Sequence, residues 1–396
     1  MSTNKPNSNM RIDYSLIFIL LLLGIVSCFA IYTVQFQPSV PSTYDASGLV
    51  IKQIMWYIAG SMLVVLIMLM DYDRFRQISW ILYGFGIVTL LMIFFNFPAP
   101  IIHEANNARS WFIIPGTSTT IQPAEFMKIF LTVILAHIIV SHNEKFKTRT
   151  NQTDLWLLAK LLGLSFPPMG LIAVQPDLGG FLVLAAIVAC MILVSGIRWR
   201  ILFAITATVT IIAGVIVFFY INYPDATRDV LYNVGFKHVE SRFLGWLYPE
   251  TYGDSGYQLT RAIMAIGSGQ LTGKGYADIQ VYIPERHTDM IFSVIAEQYG
   301  FFGASFVVTL FFLLIYRLIH IGLQSNDPFG SFMIAGFIGM FTFQTFQNIG
   351  MSIQLLPITG LPLPFISYGG SSTLTYLIAI GIVLNIHYRT KEYMFD

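Results

Sequence analysis

Apolar runs of about 20 residues recur along the chain, separated by short polar stretches. As helices, such runs are long enough to cross roughly 30 Å of hydrocarbon. The pattern predicts spans near 14–34, 50–70, 77–95, 123–141, 156–174, 178–195, 200–221, 289–317, 330–350 and 371–388. The expected fold is therefore an all-α polytopic integral membrane protein with ten transmembrane helices, residues 1–396 forming one membrane domain. Pro167 and Pro168 fall inside the fifth run and predict a kink or break there. Polar residues precede the first run, which reads as a retained signal-anchor helix because further spans follow it.

Lysine and arginine then orient the spans. Arg11, Arg74, Arg76, Lys145, Lys147, Arg149, Arg198, Arg200, Arg317, Arg389 and Lys391 all fall on one side of the ten-span arrangement. The opposite short loops hold Arg109, with Lys52 at the mouth of the second span. Both termini are expected in the cytoplasm. One long extracellular loop, 222–288, joins helices 7 and 8. Within it Phe236, Val239, Phe243 and Leu247 recur at helical spacing, with Lys237, Glu240 and Arg242 between them and Trp246 and Tyr248 at the end. That spacing predicts an amphipathic helix at the outer interface; a solvated extracellular subdomain is the other reading.

Composition agrees with a membrane class: 55% of residues are apolar and 11% are charged, where soluble domains hold about 25% charged residues. A net charge of +1 offers no basic field for nucleic acid. Cys28 and Cys190 lie inside apolar runs and read as small buried hydrophobes. The histidines show no metal-ligand spacing.

Ionisable groups at membrane depth carry the chemical information, because they are costly there. In "QPAEFMK", from Gln122, the residues Glu125 and Lys128 stand three apart on one helix face. They predict either an internal ion pair or a cavity-facing lysine that holds an anion. In "ARSW", Arg109 and Trp111 fit an interfacial belt or a sugar-phosphate contact. Asp177 in "QPDLGG" fits a helix cap. "GSGQLTGKG" lacks the first glycine and the final Ser or Thr of a phosphate loop. No nucleotide cofactor is expected from it, and Lys274 remains a candidate contact for a lipid phosphate. "LPLPFISYGGSS" predicts non-helical backbone lining a cavity, with Ser367 among its hydrogen-bonding groups. In "PERHTDMIF", Thr288 and Asp289 fit the N-cap and first turn of a helix. Ser293 and Glu297 follow on the same face, and this polar row predicts a water-filled cleft.

Taken together, "ARSW", "QPAEFMK", "QPDLGG", "GSGQLTGKG", "PERHTDMIF" and "PLPFISYGGSS" resemble the SEDS family (shape, elongation, division and sporulation) in the family's order. The resemblance runs from the first span to the last, and the last two motifs are its most specific part. Ala124, Gly180, Gln270 and Met290 depart from the family's usual Ser, Thr, Gly and Phe. None of these changes removes an ionisable group.

The resemblance implies an inverting peptidoglycan glycosyltransferase that polymerises lipid II into β-1,4 glycan strands at the outer face of the bacterial membrane. Undecaprenyl pyrophosphate would leave. It makes Asp289 the catalytic carboxylate, acting as general base or as ligand of a divalent cation (Mg2+ or Mn2+). Arg109, Trp111, Gln122, Glu125, Lys128, Lys274, His287, Glu297 and Ser367 are the expected substrate contacts. The implied partners are a single-span class B penicillin-binding protein and other elongation-complex membrane proteins. "GKGYADIQVYIPERHTDMIF" leans toward the elongation, rod-shape branch. Two rivals are a lipid II flippase and a non-catalytic scaffold for a transpeptidase. A flippase would need cytoplasmic access, whereas the motifs cluster on the outer half. A scaffold would not need Lys128, Asp289 and Glu297 at membrane depth.

Overall fold

A computed structural model of the chain describes residues 12–36, 46–105, 108–114, 116, 119–223, 237–250, 253–276 and 278–390. Phe236, Arg11 and Lys391 lie outside the described residues. The helices are α1 (Tyr14–Thr33), α2 (Ala46–Leu69), α3 (Asp73–Phe94), α4 (Pro123–Lys145), α5 (Asn151–Val174), α6 (Leu178–Val194) and α7 (Trp199–Asn222). They continue with α8 (Lys237–Leu247), α9 (Gly253–Gly269), α10 (Ile291–Gln324), α11 (Pro328–Ser352) and α12 (Gly370–Arg389). Among the described residues nine of these are long and apolar enough to cross a membrane. The sixth expected span is the 17-residue α6, about 25 Å long at 1.5 Å per residue. The chain is a multi-pass membrane protein.

α4 is the central post. It packs on α3, α5, α6, α11 and α12, and residues as different as Leu131, Ile134 and Lys128 are fully buried along it. α2 lies along α12, and α11 packs on α6 and α10. α1 is tied to α10 at the far end: Asp13 caps α1 by accepting from the Leu16 N–H at 3.0 Å and pairs with Arg317 at 2.6 Å. α7 is exposed along nearly all of its described length, as a helix facing lipid would be. Three short strands, β1 (Ile102–Ala105), β2 (Ala108–Ile113) and β3 (Thr120–Ile121), form an antiparallel sheet before α4. The apolar periodicity did not predict this sheet.

The break in the bundle is not at the prolines. α5 runs unbroken through Pro167 and Pro168. Instead α10, expected as one continuous span, is interrupted at Gly300, whose φ of 60° and ψ of −155° are non-helical. A break at membrane depth frees backbone groups that lipid cannot satisfy. The glycine-rich loop after α9 supplies them. Lys274 N donates to Glu297 O at 3.1 Å and Gly275 N to Gln298 O at 3.0 Å. In return Phe301 N donates to Gln270 O at 2.9 Å and Phe302 N to Leu271 O at 3.2 Å. The approach requires glycine on both sides. A Cβ on Gly273 would lie 2.0 Å from Gln298 O, and one on Gly300 would lie 2.4 Å from Gly273 N. The "GSGQLTGKG" stretch is thus a splice into a broken helix.

α8 buries a mixed polar and apolar face. Glu240 and Leu244 are buried, while Phe243 and Leu247 are exposed. Trp246 Nε1 donates to Gln354 O at 2.9 Å, and Arg242 Nη1 donates to Thr359 O at 2.6 Å. α8 is therefore docked on the extended segment that precedes α12.

Candidate functional site

Seven pieces of chain meet at the end of the bundle where α4 and α10 begin. They enclose a cavity of about 840 Å3. α2 contributes Lys52 and Trp56, the small sheet Ser110 and Trp111, the start of α4 Gln122 and Glu125, and the α5–α6 turn Gln175 and Asp177. α8 contributes Arg242, the turn before α10 Glu285, Thr288 and Asp289, and the proline-rich segment Thr359–Pro362 and Tyr368–Ser372. The basic ends of α4 and α12 lie at the other end of the bundle, where Arg389 bonds the Met70 carbonyl at 3.0 Å.

Asp289 does not cap the helix. The turn from Pro284 carries on past it, with Thr288 N donating to Glu285 O at 3.2 Å and Met290 N at 3.3 Å. Met290 occupies the N-cap position, without a side-chain cap. The expected capping role of Thr288 and Asp289 is corrected accordingly: local turn bonds place them ahead of the helix, which leaves the Asp289 carboxylate on the cavity wall. The backbone around it is clamped from three directions. Ser367 Oγ donates to Thr288 O at 2.6 Å, and Tyr368 N donates to His287 O at 2.9 Å. Asn348 Nδ2, from buried α11, donates to Asp289 O at 2.8 Å and Leu361 O at 2.7 Å. Gly360, at φ +75°, faces the carboxylate so closely that a Cβ there would lie 3.4 Å from Asp289 Oδ2.

Several other expected site residues reach the cavity. Trp111, Gln122 and Glu125 line it. Gln122 Nε2 donates to Asp177 Oδ2 at 3.1 Å, while Asp177 Oδ1 caps α6 by accepting from Gly180 N at 2.7 Å. Glu125 pairs through Oε1 with the fully buried Lys128 at 2.6 Å, and its Oε2 is buried without a partner. Lys128 is thus held beneath the cavity by its neighbour. Arg109 is turned away: register sets it opposite Glu104, with which it pairs at 2.8 Å on the exposed side of the sheet. His287 packs its ring on Tyr368 at 5.8 Å, off the cavity wall. Ser367 is spent on the clamp, bonding Thr288 O and accepting from Leu363 N at 2.8 Å.

The predicted polar row down α10 does not line a cleft. Ser293 is fully buried and bonds Met290 O at 2.6 Å. Glu297 is fully buried at the heart of a charge hub. Its Oε1 accepts from Lys274 Nζ at 2.9 Å, Gln280 N at 2.9 Å and Val281 N at 3.1 Å. Its Oε2 accepts from Arg286 Nη2 at 3.0 Å. Arg286 is 1% exposed and stands three residues before Asp289. Lys274 and Glu297, both expected at the substrate, satisfy each other instead, because a buried charge without a partner is far more costly.

Among the described residues the cations that line the cavity are Arg242 and Lys52. Arg242 was not singled out from the sequence, because its only visible signal was a place in an amphipathic run. The Asp289 carboxyl is raised to about 7, chiefly by burial and then by the Glu285 charge, with Asp177 adding to the rise. Arg242 and a hydrogen bond from Thr288 oppose the shift. Near neutrality such a group can both take and release a proton. Among the described residues no three His, Cys, Asp or Glu side chains converge as metal ligands.

Comparison with known proteins places this site in context. Residues 13–392 match the family described as FTSW_RODA_SPOVE, cell cycle protein. A "Probable peptidoglycan glycosyltransferase FtsW" of Bacillus subtilis (strain 168) is 35% identical over 393 residues, 96% of this chain and 91% of the relative. "Stage V sporulation protein E" of the same organism is 31% identical over 98% of each chain. A solved structure described as "Structural coordination of polymerization and crosslinking by a peptidoglycan synthase complex" superposes with a TM-score of 0.75. It is 26% identical and covers 97% of this chain and 99% of its own. The rod shape determining protein RodA of Thermus thermophilus superposes with a TM-score of 0.65. It too is 26% identical, with coverage of 96% and 98%.

Proposed function

The chain belongs to the FtsW, RodA and SpoVE family of cell cycle proteins, and from that premise we propose that it is a peptidoglycan glycosyltransferase of the bacterial membrane. Its substrate is lipid II, polymerised into β-1,4 glycan with release of undecaprenyl pyrophosphate. The observation that carries this reading is an uncapped carboxylate, Asp289, on the wall of a cavity that also holds Arg242 and Lys52. The basic loops lie at the other end of the bundle, which by the positive-inside rule makes the cavity end the outer one.

Inversion at an anomeric carbon needs a base on the acceptor hydroxyl and positive charge at the leaving group. Asp289 takes the acceptor proton. Its position is fixed by the clamp from Asn348, Ser367 and Tyr368 rather than by a flexible side-chain tether. Arg242 and Lys52 balance the charge that develops on the departing pyrophosphate. Asp289 is also the residue that would hold a divalent cation, which would supply further positive charge at the pyrophosphate. Trp111 offers a stacking face to sugar, and Gln122 a polar contact.

Identity favours the group of relatives named FtsW over the rod-shape branch. An FtsW-named relative is 35% identical, against 26% for the RodA structure. A class B penicillin-binding protein is the proposed partner, in keeping with the synthase complex that this fold resembles.

Asn348→Leu is expected to lower kcat roughly ten- to hundredfold with little change in KM, since a base displaced by about 1 Å costs on that order. The free energy of unfolding should fall as well, by roughly 2–6 kcal/mol for two carbonyls left unbonded. The decisive test of function is the purified protein with its partner, supplied with labelled lipid II, the products resolved on a gel. Glycan ladders are the expected result. Absence of glycan together with transport of lipid II across liposomes would mark a flippase instead.

A further inference from the structure

A second hollow, of about 620 Å3, opens at the basic end of the bundle, where α4 ends and α5 begins. Phe146, Gln152, Thr153, Leu155 and Trp156 line it. Each of its two rings carries an ammonium group. Lys145 Nζ lies 5.7 Å from the Phe146 centroid, and Lys160 Nζ lies 5.4 Å from the Trp156 centroid. Both distances are in the range of a cation–π contact. Lys160 also donates to Nδ1 of the buried His142 at 3.4 Å, and the His142 ring packs on Phe146 at 4.7 Å. The two lysines are thus linked by a continuous patch of three rings.

Lys160 is the unusual member. It stands nine residues into α5, about 13 Å along a span at 1.5 Å per residue. Leu155, Trp156, Leu162 and Phe166 are exposed around it, so lipid lies beside that face. A charge there is costly unless its stem carries it back to the interface or a counter-charge meets it. Trp156, one turn nearer the helix start, marks that interface. The protein supplies no counter-charge. Glu144 pairs with Arg76 at 2.7 Å, and Asp154 pairs with Arg198 at 3.5 Å and Arg149 at 3.9 Å. Among the described residues neither Lys145 nor Lys160 makes an ion pair. An ammonium has three donors, and Lys160 gives one to His142.

We propose that this patch binds the phosphate of an anionic glycerophospholipid from the inner leaflet. The phosphate sits against Lys145 and Lys160. An acyl chain runs along Leu155, Leu162 and Phe166, which recur at i, i+7 and i+11 down one exposed face of α5. Two unpaired cations favour a net anionic lipid over a zwitterionic one, whose own cation they repel. The apolar stripe separates a lipid from free phosphate, which gains nothing from it. The site lies at the opposite end of α4 from the Asp289 cavity, so it stands whether or not Asp289 is the base.

The test titrates the purified full-length chain in neutral detergent with phosphatidylglycerol, phosphatidylcholine or inorganic phosphate, and counts retained ligand by native mass spectrometry. Retention of a single phosphatidylglycerol per chain is expected, with phosphatidylcholine and inorganic phosphate held about tenfold more weakly or worse. Lys145→Gln and Lys160→Gln should each weaken retention of phosphatidylglycerol about fivefold, and about 25-fold together. Lys160→Arg should stay within about twofold of wild type, since it keeps the charge. Arg74→Gln, a basic residue of the same end outside the patch, should change nothing. Lys145 is exposed at the end of α4, so its variant tests the patch even where Lys160→Gln folds poorly. Equal retention of phosphatidylglycerol by wild type and the double variant, or of phosphatidylglycerol and phosphatidylcholine by wild type, would overturn the site and mark ordinary surrounding lipid. Inorganic phosphate held as tightly as phosphatidylglycerol would overturn the lipid assignment.

Discussion

Asp289→Asn is expected to abolish glycan synthesis, with a rate loss of about 10³-fold or more, while the protein folds as well as the wild type or better. A positioned general base contributes about 10²–10⁴-fold, and asparagine keeps the size of the side chain but cannot accept the proton. The stability half follows from the raised carboxyl. Asp289 binds a proton more tightly folded, at about 7, than in an unfolded chain. Its contribution to stability is full below the ordinary carboxylate range and is lost as pH rises through about 7. At neutral pH and above, the ionised form is a burden on the fold that asparagine lacks. Gel assays of glycan and thermal unfolding in nanodiscs check both halves. A variant that melts lower in step with its loss of activity would mark Asp289 as structural.

Glu297→Ala carries the largest expected cost in stability. It removes a carboxylate that accepts four hydrogen bonds and leaves Arg286 buried with no acid beside it. Breaking one side of a buried pair costs about 3–5 kcal/mol, a large share of the 5–15 kcal/mol that holds a typical domain. The damage reaches the site through the chain, since Arg286 anchors the turn that carries Asp289. Glu297→Gln should be milder, because its oxygen still serves the backbone N–H groups of Gln280 and Val281. Thermal unfolding and membrane accumulation of the two variants measure the difference. An unchanged midpoint in Glu297→Ala would contradict the hub.

The membrane spans were legible because lipid leaves the backbone few choices: a long apolar run must be a helix that satisfies itself. The break in α10 was not. Tyr299, Phe301 and Phe302 continue the apolar pattern across Gly300, and the loop that repairs the break lies some distance back in the chain. The same separation hid the hub. Lys274 and Glu297 each looked like an isolated charge with a task at the substrate, and only tertiary packing reveals that they face each other. Arg242 was hidden in the opposite way, as one polar residue among several on a short helix. Asn348 did leave a signal: Gln344, Gln347 and Asn348 place three amides within about one turn of an apolar span. Amides at such depth need partners, and here two of their partners are the carbonyls of Asp289 and Leu361. The "PERHTDMIF" turn itself was visible as a motif, and what the sequence left open was whether its acid capped the helix or stood free of it.

The most direct test of Asp289 as the base is the initial rate of glycan synthesis from lipid II, followed across the neutral pH range in the wild type. The rate should rise with pH through a single ionisation at about 7 and then level off, as the carboxyl loses its proton and becomes competent to accept one. A rate that stays flat through neutrality and falls only in the ordinary carboxylate range would contradict it.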